Sequence, residues 1–193
     1  MALAARNEFE VMYKFLCSSG CTLSIRPSQA FTVLENTARL GYTNIVRKLI
    51  DMGIINGSTR GKRNETALHI FAYTGNRALV RLLEGKRWNV NAEDKDKRTP
   101  LHWAAWAGQC DTVEELLRLE ANVNALDRLG RTPLYGAAGG GFKDVVQKLL
   151  GHHADRSLRG GKNDETPLDR ARHKGHQDVV SLLERGYTPP SHL

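Results

Sequence analysis

The sequence lacks long apolar runs and is poor in cysteine and aromatic residues. No stretch of its 193 residues approaches the roughly 18–20 apolar residues that a membrane-spanning helix needs. Arg6 and two glutamates interrupt the first ten residues, so no signal peptide is recognisable and we expect an intracellular protein, cytoplasmic or nuclear. Cys17, Cys21 and Cys110 are an odd number of cysteines, which favours reduced thiols over a disulfide framework.

What the sequence does contain is typical of a soluble folded chain with a basic balance. Hydrophobic residues make up 40% of it, and 28 Lys and Arg face 21 Asp and Glu, which gives a formal charge of +7. The length suits one folded unit or a short repeat array and is too small for two ordinary domains. The excess of positive charge favours an acidic partner.

A short motif recurs along the chain at spacings of 33 and 34 residues. Thr66-Ala67-Leu68-His69 returns as Thr-Pro-Leu followed by His, Tyr or Asp, and a glycine stands nine residues after each threonine. The threonines of the copies, the first of them a weaker match, are Thr32, Thr66, Thr99, Thr132 and Thr166. A fixed period of this length is the signature of a repeat architecture.

Each unit predicts two helices and a turn. Threonine is a good N-cap, proline suits the first helical position, and the glycine permits a left-handed turn where the first helix ends. An aspartate and apolar pairs at helical spacing then predict a second helix, as in Asp144 followed by Val145 and Val146. Polar, glycine-containing stretches between units predict a projecting turn or β-hairpin, here called a finger.

The segment from Thr99 to Gly108, with Leu116-Leu117 and Asn122-Val123-Asn124-Ala125 after it, resembles the ankyrin repeat. The resemblance implies an all-α solenoid with β-hairpin fingers, whose first helices line a concave face. It implies about five repeats over residues 28–187 and an N-terminal helical capping half-repeat over residues 1–27. Pro189 and Pro190 predict an extended tail at 188–193. Stability then comes from contacts between neighbouring repeats.

The sequence offers no catalytic or metal-binding motif. It contains neither G-x-S-x-G nor H-E-x-x-H, and Cys17 and Cys21 lack a second ligand pair, so we expect no enzyme activity, cofactor or metal. The resemblance implies that His69 and His102 are structural residues that form hydrogen bonds between adjacent turns.

The resemblance also implies that partner contacts come mostly from the fingers just before each threonine and from positions seven and eight after it. Tyr73, Trp106, Gly139 and His173 occupy the first of these positions, and we add Trp103, for which packing and partner binding are both open interpretations. Exposed tyrosine, tryptophan and arginine are the residue types that concentrate binding energy.

Glycines next to these rings suggest a second feature of the face. Gly136, Gly139 and Gly140 lack side chains, so we expect a hollow beside Tyr73 and Trp106 that an apolar side chain of a partner fills.

A basic residue stands four positions before the threonine of each clear repeat, and further arginines lie close by. These residues are Lys62, Lys95, Arg128 and Lys162, with Arg63, Arg98 and Arg131 beside them. Such a ladder attracts an acidic or phosphorylated segment. Neighbouring aspartates partly neutralise it, so a solvated polar edge is the alternative interpretation.

We therefore predict a non-catalytic protein–protein interaction module that is monomeric alone and binds an extended or acidic segment of a partner protein. The alternatives are an inhibitor that blocks a kinase or transcription factor, and the targeting module of a larger protein. Nucleic acid is not expected as a partner, because no recognised binding motif is present. The terminal Ser191-His192-Leu193 is compatible with a peroxisomal signal or a PDZ ligand.

Overall fold

The computed structural model describes residues 27–82, 86 and 88–185, so the predicted N-terminal cap, except Pro27, and the predicted tail lie outside the described residues. Within the described part the chain forms ten helices arranged as five pairs. The pairs are α1 (Pro27–Arg39) with α2 (Thr43–Asp51), α3 (Ala67–Thr74) with α4 (Arg77–Arg81), α5 (Pro100–Trp106) with α6 (Cys110–Arg118), α7 (Pro133–Gly140) with α8 (Lys143–Gly151), and α9 (Pro167–Lys174) with α10 (Gln177–Arg185).

The first helix of each later pair begins and ends where the repeat motif predicts. Thr132 has extended backbone at the N-cap of α7, and its hydroxyl accepts a hydrogen bond from the backbone N–H of Tyr135. Gly141 ends the same helix with a φ of 73°, a left-handed conformation that glycine adopts without steric cost. Helix caps are local interactions, which is why the motif predicts these boundaries correctly.

The first pair departs from the prediction. Helix α1 begins at Pro27, so Thr32 lies inside the helix and the prediction that it starts there is wrong. Pro27 suits a first helical turn, where its missing N–H has no intrahelical partner. Thr32 is followed by Val33 and not by proline, and it lacks that local signal.

Each helix packs mainly against its partner and against the equivalent helix of the neighbouring pair, as in α3 on α5 and α5 on α7. Small residues such as Ala104, Ala105 and Ala138 are fully buried in these contacts, and Phe71 and Leu101 lie in the same continuous core. The first helices contact one another more extensively than the second helices do. We call the side of the first helices and the fingers the finger face, and the side of the second helices the outer face.

Four fingers precede the helices α3, α5, α7 and α9, and we number them 2 to 5 after their repeats: residues 60–66, 94–98, 127–131 and 160–165. Fingers 2 and 5 are closed by antiparallel bridges, Arg60 with Thr66 and Gly160 with Glu165. In finger 3 the N–H of Asp94 donates to the carbonyl of Arg98, and finger 4 repeats this bond. The fingers are therefore tight turns that project from the same edge of the stack.

Candidate partner-binding face

The exposed part of the predicted site lies at the two edges of the finger face. Tyr73 near the end of α3 is 48% exposed and lies beside Arg39, whose guanidinium carbon is 6.0 Å from the ring centroid. Leu40, one residue after α1, is also 48% exposed. At the finger edge, Arg63, Lys95 and Arg128 are exposed, and His173 on α9 is exposed as well. These side chains are accessible to a partner.

Trp103 is half-buried and its indole is held by its own chain. Its Nε1 donates to Asp94 at 3.1 Å, and the edges of His69 and Tyr73 contact its ring at centroid distances of 5.5 and 6.0 Å. The guanidinium of Arg98 lies 5.5 Å from the ring centroid. Trp103 therefore packs within the repeat stack and contacts Tyr73, and its binding of a partner stays a prediction.

Trp106 is also half-buried and lies between two arginines. The guanidinium carbons of Arg98 and Arg131 are 5.7 and 4.6 Å from its ring centroid, distances at which the ring quadrupole attracts a cation. The ring reaches over the next repeat, because a Cβ added at Gly136 would lie only 1.5 Å from its Cδ1 atom. Glycine at position 136 is therefore required by the indole of the preceding repeat.

The predicted hollow beside these rings does not exist, and this prediction is wrong. Trp106 fills the space above Gly136, and the side chain of Arg170 comes within 3.1 Å of a Cβ built at Gly139. A Cβ at Gly140 would lie 2.3 Å from the ring of Phe142. The glycines make room for large side chains of the protein itself and leave no empty space for an apolar side chain of a partner.

Two of the predicted binding arginines are committed to aspartates of their own fingers. Asp94 accepts hydrogen bonds from the backbone and from Nε of Arg98, and Asp127 does the same with Arg131. Burial opposes ionisation of Asp94, but the hydrogen bonds from Arg98 and from the backbone of Asp96 outweigh it and lower the pKa of this carboxyl. The charges of Arg98 and Arg131 are thus largely neutralised. We call the layer that these two side chains form with Trp106, beneath the exposed residues of the finger face, the floor.

The fingertips retain a surplus of positive charge. Arg63 pairs with Asp96 of the next finger, and a terminal nitrogen of Arg128 donates to the carbonyl of Lys95 at 2.6 Å. The side chains of Lys62 and Lys95 are exposed, and their ammonium groups form no ion pair with the described residues. The predicted basic ladder therefore consists of exposed lysines set between arginines that connect one finger to the next.

Finger 5 is organised around a buried carboxylate. Glu165 accepts hydrogen bonds from Asn163 at 2.8 Å and from the hydroxyl of Tyr135 at 3.2 Å, and its Oε1 lies 2.9 Å from Nδ1 of His173. The bond from Asn163 is the main cause that lowers the pKa of Glu165, while burial raises the pKa of Tyr135. An open cavity of about 450 Å³ lies between this finger and α9. Glu165 therefore holds the ring of His173 on its Nδ1 side, while the His173 side chain as a whole stays exposed.

The structural interpretation of His69 and His102 is confirmed. Nδ1 of His69 accepts the backbone N–H of Thr66 at 3.1 Å, and Nε2 donates to the carbonyl of Arg98 at 2.9 Å. His102 makes the same two bonds one repeat later. This arrangement needs the neutral ring, and burial is the main cause that lowers the pKa of His69 from 6.5 to about 4 and also lowers that of His102.

The sequence analysis missed a buried charge on the outer face. Glu115 of α6 is fully buried and accepts hydrogen bonds from Nε of Arg77 at 2.9 Å and of Arg81 at 3.2 Å, both on α4. A nitrogen of Arg118 lies 3.4 Å from its second oxygen. Burial opposes ionisation of Glu115, but the two bonds from α4 outweigh it and lower its pKa. The sequence feature that could have predicted this buried carboxylate is the pair Arg77 and Arg81, which are four residues apart and therefore lie on the same side of α4.

Across the described residues, no group of three or more His, Cys, Asp or Glu side chains is placed to hold a metal ion. No helix in the described ranges is long and apolar enough to cross a membrane. Cys110 is a partly buried free thiol, and Cys17 and Cys21 lie outside the described residues.

The helix pairs, the fingers and the histidine bridges together define a helical repeat solenoid. A family model described as ankyrin repeats (3 copies) matches residues 34–127 and again residues 111–190. The chain therefore belongs to the ankyrin repeat family, whose members are generally non-enzymatic modules for protein–protein interaction. No curated protein matches the chain.

Proposed function

We propose that this protein is a non-catalytic interaction module that binds an extended, acidic segment of a partner protein on its finger face. The observation that carries the proposal is the pairing of an exposed apolar edge with a basic edge on one face. Tyr73 and Leu40 supply the apolar edge, and Lys62 and Lys95 supply unpaired positive charge at the fingertips. Mixed apolar and basic contacts of this kind give both affinity and orientation.

Within this proposal the predicted site residues divide into two groups. The exposed group makes the contacts and consists of Arg63, Tyr73, Lys95, Arg128 and His173. The half-buried group forms the floor beneath the partner and consists of Arg98, Trp103, Trp106, Arg131 and Gly139. A floor whose rings and guanidinium groups are already fixed loses little conformational entropy on binding, which favours affinity.

The experiment is a quantitative affinity capture from cell lysate with three baits: the unmodified protein, a Tyr73→Ala variant and a Met52→Ala variant. Met52 is 56% exposed and directly follows α2 of the outer face, so its substitution removes an exposed apolar side chain of similar accessibility elsewhere. We expect the main partner to bind Tyr73→Ala at least about tenfold more weakly, and Met52→Ala as well as the unmodified protein.

Both variants keep the buried core, so far-UV circular dichroism and urea unfolding serve as checks of the fold. Capture of the same proteins in the same amounts by all three baits would contradict the assignment of the finger face. Purified partner and each bait then give the dissociation constants by calorimetry.

A further inference from the structure

One loop motif recurs four times between a second helix and the finger that follows it. The first residues of the four loops are 33 residues apart in sequence: Asn56, Asn89, Asn122 and Asp155. In each copy a side-chain oxygen, Oδ1, accepts the backbone N–H of the residue two positions later, at distances between 2.8 and 3.0 Å. The loops share this local hydrogen bond and can therefore be compared position by position.

The copies differ in the residue that follows the first. Asn56 is followed by Gly57, whereas the other two asparagines are followed by Val90 and Val123. The backbone does not require glycine there, since Gly57 does not adopt the left-handed conformation that Gly53 adopts nearby. Glycine leaves its backbone nitrogen open to the preceding side chain, and a branched valine side chain obstructs this approach.

Asn56 also has more donors on its side-chain oxygen than the other two asparagines. The backbone N–H and the hydroxyl of Ser58 donate to Oδ1 at 2.9 and 2.6 Å, and the hydroxyl of Thr59 donates at 3.3 Å. Among the described residues, Oδ1 of Asn89 and Oδ1 of Asn122 each accept only one backbone N–H. Several donors aimed at one oxygen stabilise negative charge that develops on it during a reaction.

Asp155 carries a negative charge in the equivalent place. The backbone N–H and the hydroxyl of Ser157 donate to Oδ1 of Asp155 at 2.8 and 2.6 Å, as those of Ser58 do to Asn56. The bond from the Ser157 hydroxyl is the main cause that lowers the pKa of Asp155, and the backbone bond lowers it further. The same two donors therefore meet any negative charge on Oδ1 at position 56.

The groups that a reaction of Asn56 with its own backbone needs are accessible. The Asn56 side chain is exposed to water. Its amide nitrogen, Nδ2, makes a long hydrogen bond of 3.4 Å to the carbonyl of Gly53. No described group accepts a hydrogen bond from the Gly57 N–H, so the nitrogen can react without losing a bond in the described part of the chain.

We propose that Asn56 is a site of spontaneous deamidation. The Gly57 nitrogen gives its proton to water and forms a bond to Cγ of Asn56, and the negative charge moves to Oδ1, where Ser58 and Thr59 stabilise it. The bond from Cγ to Nδ2 then breaks, and this nitrogen takes a proton from water and leaves as ammonia. Water opens the resulting succinimide ring at either of its carbonyls, which yields aspartate or isoaspartate at this position.

The two products have different consequences for finger 2. Aspartate keeps the loop, as Asp155 does before finger 5, and adds a negative charge beside the basic finger. Isoaspartate adds one carbon to the backbone of a turn in which the Thr59 N–H donates to the carbonyl of Asn56 at 3.1 Å. Finger 2 begins directly after this turn, at the bridge of Arg60 with Thr66, so the isoaspartate product disturbs the base of the finger.

The experiment incubates the purified full chain at neutral pH and maps its peptides by liquid chromatography and mass spectrometry. Asn89 and Asn122 are internal controls, because they lie in the same kind of loop and lack the glycine. We expect Asn56 to lose its amide at least about tenfold faster than either, with both aspartate and isoaspartate among the products. Equal rates would overturn the site, and aspartate without isoaspartate would overturn the succinimide route.

Two variants separate the nucleophile from the donors to Oδ1. Gly57→Val introduces the residue of the equivalent loops and should slow the deamidation of Asn56 at least about tenfold, to the rate of Asn89. Ser58→Ala removes the donor closest to Oδ1 and should slow it about threefold or more, because less of the developing charge is stabilised. Circular dichroism checks that each variant is folded.

Each contrary result overturns a different statement. An unchanged rate in Gly57→Val would overturn the attack by the Gly57 nitrogen and with it the proposed site. An unchanged rate in Ser58→Ala, together with a slow Gly57→Val, would overturn the role of the hydroxyl and assign the reactivity to the glycine alone.

Discussion

The two faces of the solenoid bury carboxylates in different ways. On the finger face, the described residues that donate to Asp94 and Asp127 are all close in sequence: the neighbouring backbone and the side chains of Arg98, Trp103 or Arg131. On the outer face, Glu115 accepts from two arginines of the preceding repeat. The first arrangement shapes one finger, and the second connects two repeats.

This difference teaches where a buried charge affects cooperativity in a repeat protein. Stability in such a stack is approximately the sum of the repeats and of the interfaces between neighbours. Loss of a finger aspartate weakens one repeat, whereas loss of the partners of Glu115 weakens the interface between α4 and α6. The predictions below test this contrast.

The largest effect is expected at the outer face. The double variant Arg77→Ala, Arg81→Ala leaves Glu115 buried with Arg118 as its remaining partner among the described residues, and it should lose about 3–5 kcal/mol of unfolding free energy. Urea denaturation followed by circular dichroism gives the value. The transition should also broaden, because two repeats are uncoupled.

A third substitution separates the charge from the packing. Glu115→Leu in the double variant removes the uncompensated carboxylate, and one repeat earlier the equivalent position already holds Leu82. We expect this triple variant to recover most of the lost stability, since apolar replacement of buried ion pairs is often neutral or stabilising. Failure of the rescue would mean that the arginines act through contacts other than Glu115.

The contrast between the two faces also shows which features the sequence could predict. Helix starts and ends followed from the threonine and glycine positions because caps depend on residues within one turn. The histidine bridges followed from the same motif. Helix α1 escaped prediction, because Pro27 provides its start and lies outside the repeat motif.

Features that depend on the neighbouring repeat were not predictable from spacing alone. The sequence predicts empty space at Gly136, because glycine has no side chain, yet the indole of Trp106 from the preceding repeat occupies this space. From the sequence alone Glu115 is expected at the surface. In the structure it is buried and paired with Arg77, which lies more than one repeat away in sequence. In both cases a long side chain contacts a residue of the neighbouring repeat, and this contact contributes to the free energy of unfolding. The repeat period gives the spacing of the helices but does not give the reach of a side chain across the interface between them.

The next effect in size is a loss of stability in mild acid, expected at the finger face. The pKa of His69 in the folded protein is about 4, below its ordinary value of 6.5, so the unfolded chain binds the proton more readily. The stability that the neutral ring contributes is complete above about pH 6.5 and is lost as pH falls toward 4, a decrease of about 3 kcal/mol for this residue. Urea midpoints measured across this range give the slope.

Substitution of the histidines is the control for this slope. In a His69→Gln, His102→Gln variant, an amide that does not titrate replaces each ring, and most of the slope between pH 6.5 and 4 should disappear. The carboxyl of Glu115 has a lowered pKa, so its contribution is lost only below the ordinary range of a glutamate. An unchanged slope in the double variant would assign the acid sensitivity to other groups.

The smallest effect is expected in finger 5, where the carboxylate of Glu165 accepts hydrogen bonds both from its own finger and from the preceding repeat. Tyr135 takes the place of the bridging histidine, and its hydroxyl donates across the repeat boundary to Glu165 instead of to a backbone carbonyl. Gly161 makes room for it, because a Cβ there would lie 2.7 Å from the hydroxyl oxygen. The bridge of a histidine is thus replaced by three residues together: Tyr135, Gly161 and Glu165.

Tyr135→Phe removes only the hydroxyl and should cost about 1 kcal/mol, since Asn163 and His173 still contact Glu165. The lowered pKa of Glu165 keeps its carboxylate ionised at pH 7 and at pH 5, and the phenol is neutral at both, so the loss should be the same at the two values. Urea unfolding at both values measures it. If the variant unfolds at the same urea concentration as the unmodified protein at both values, the hydroxyl does not stabilise the contact between repeats, and finger 5 belongs to the same class as the self-contained fingers 3 and 4.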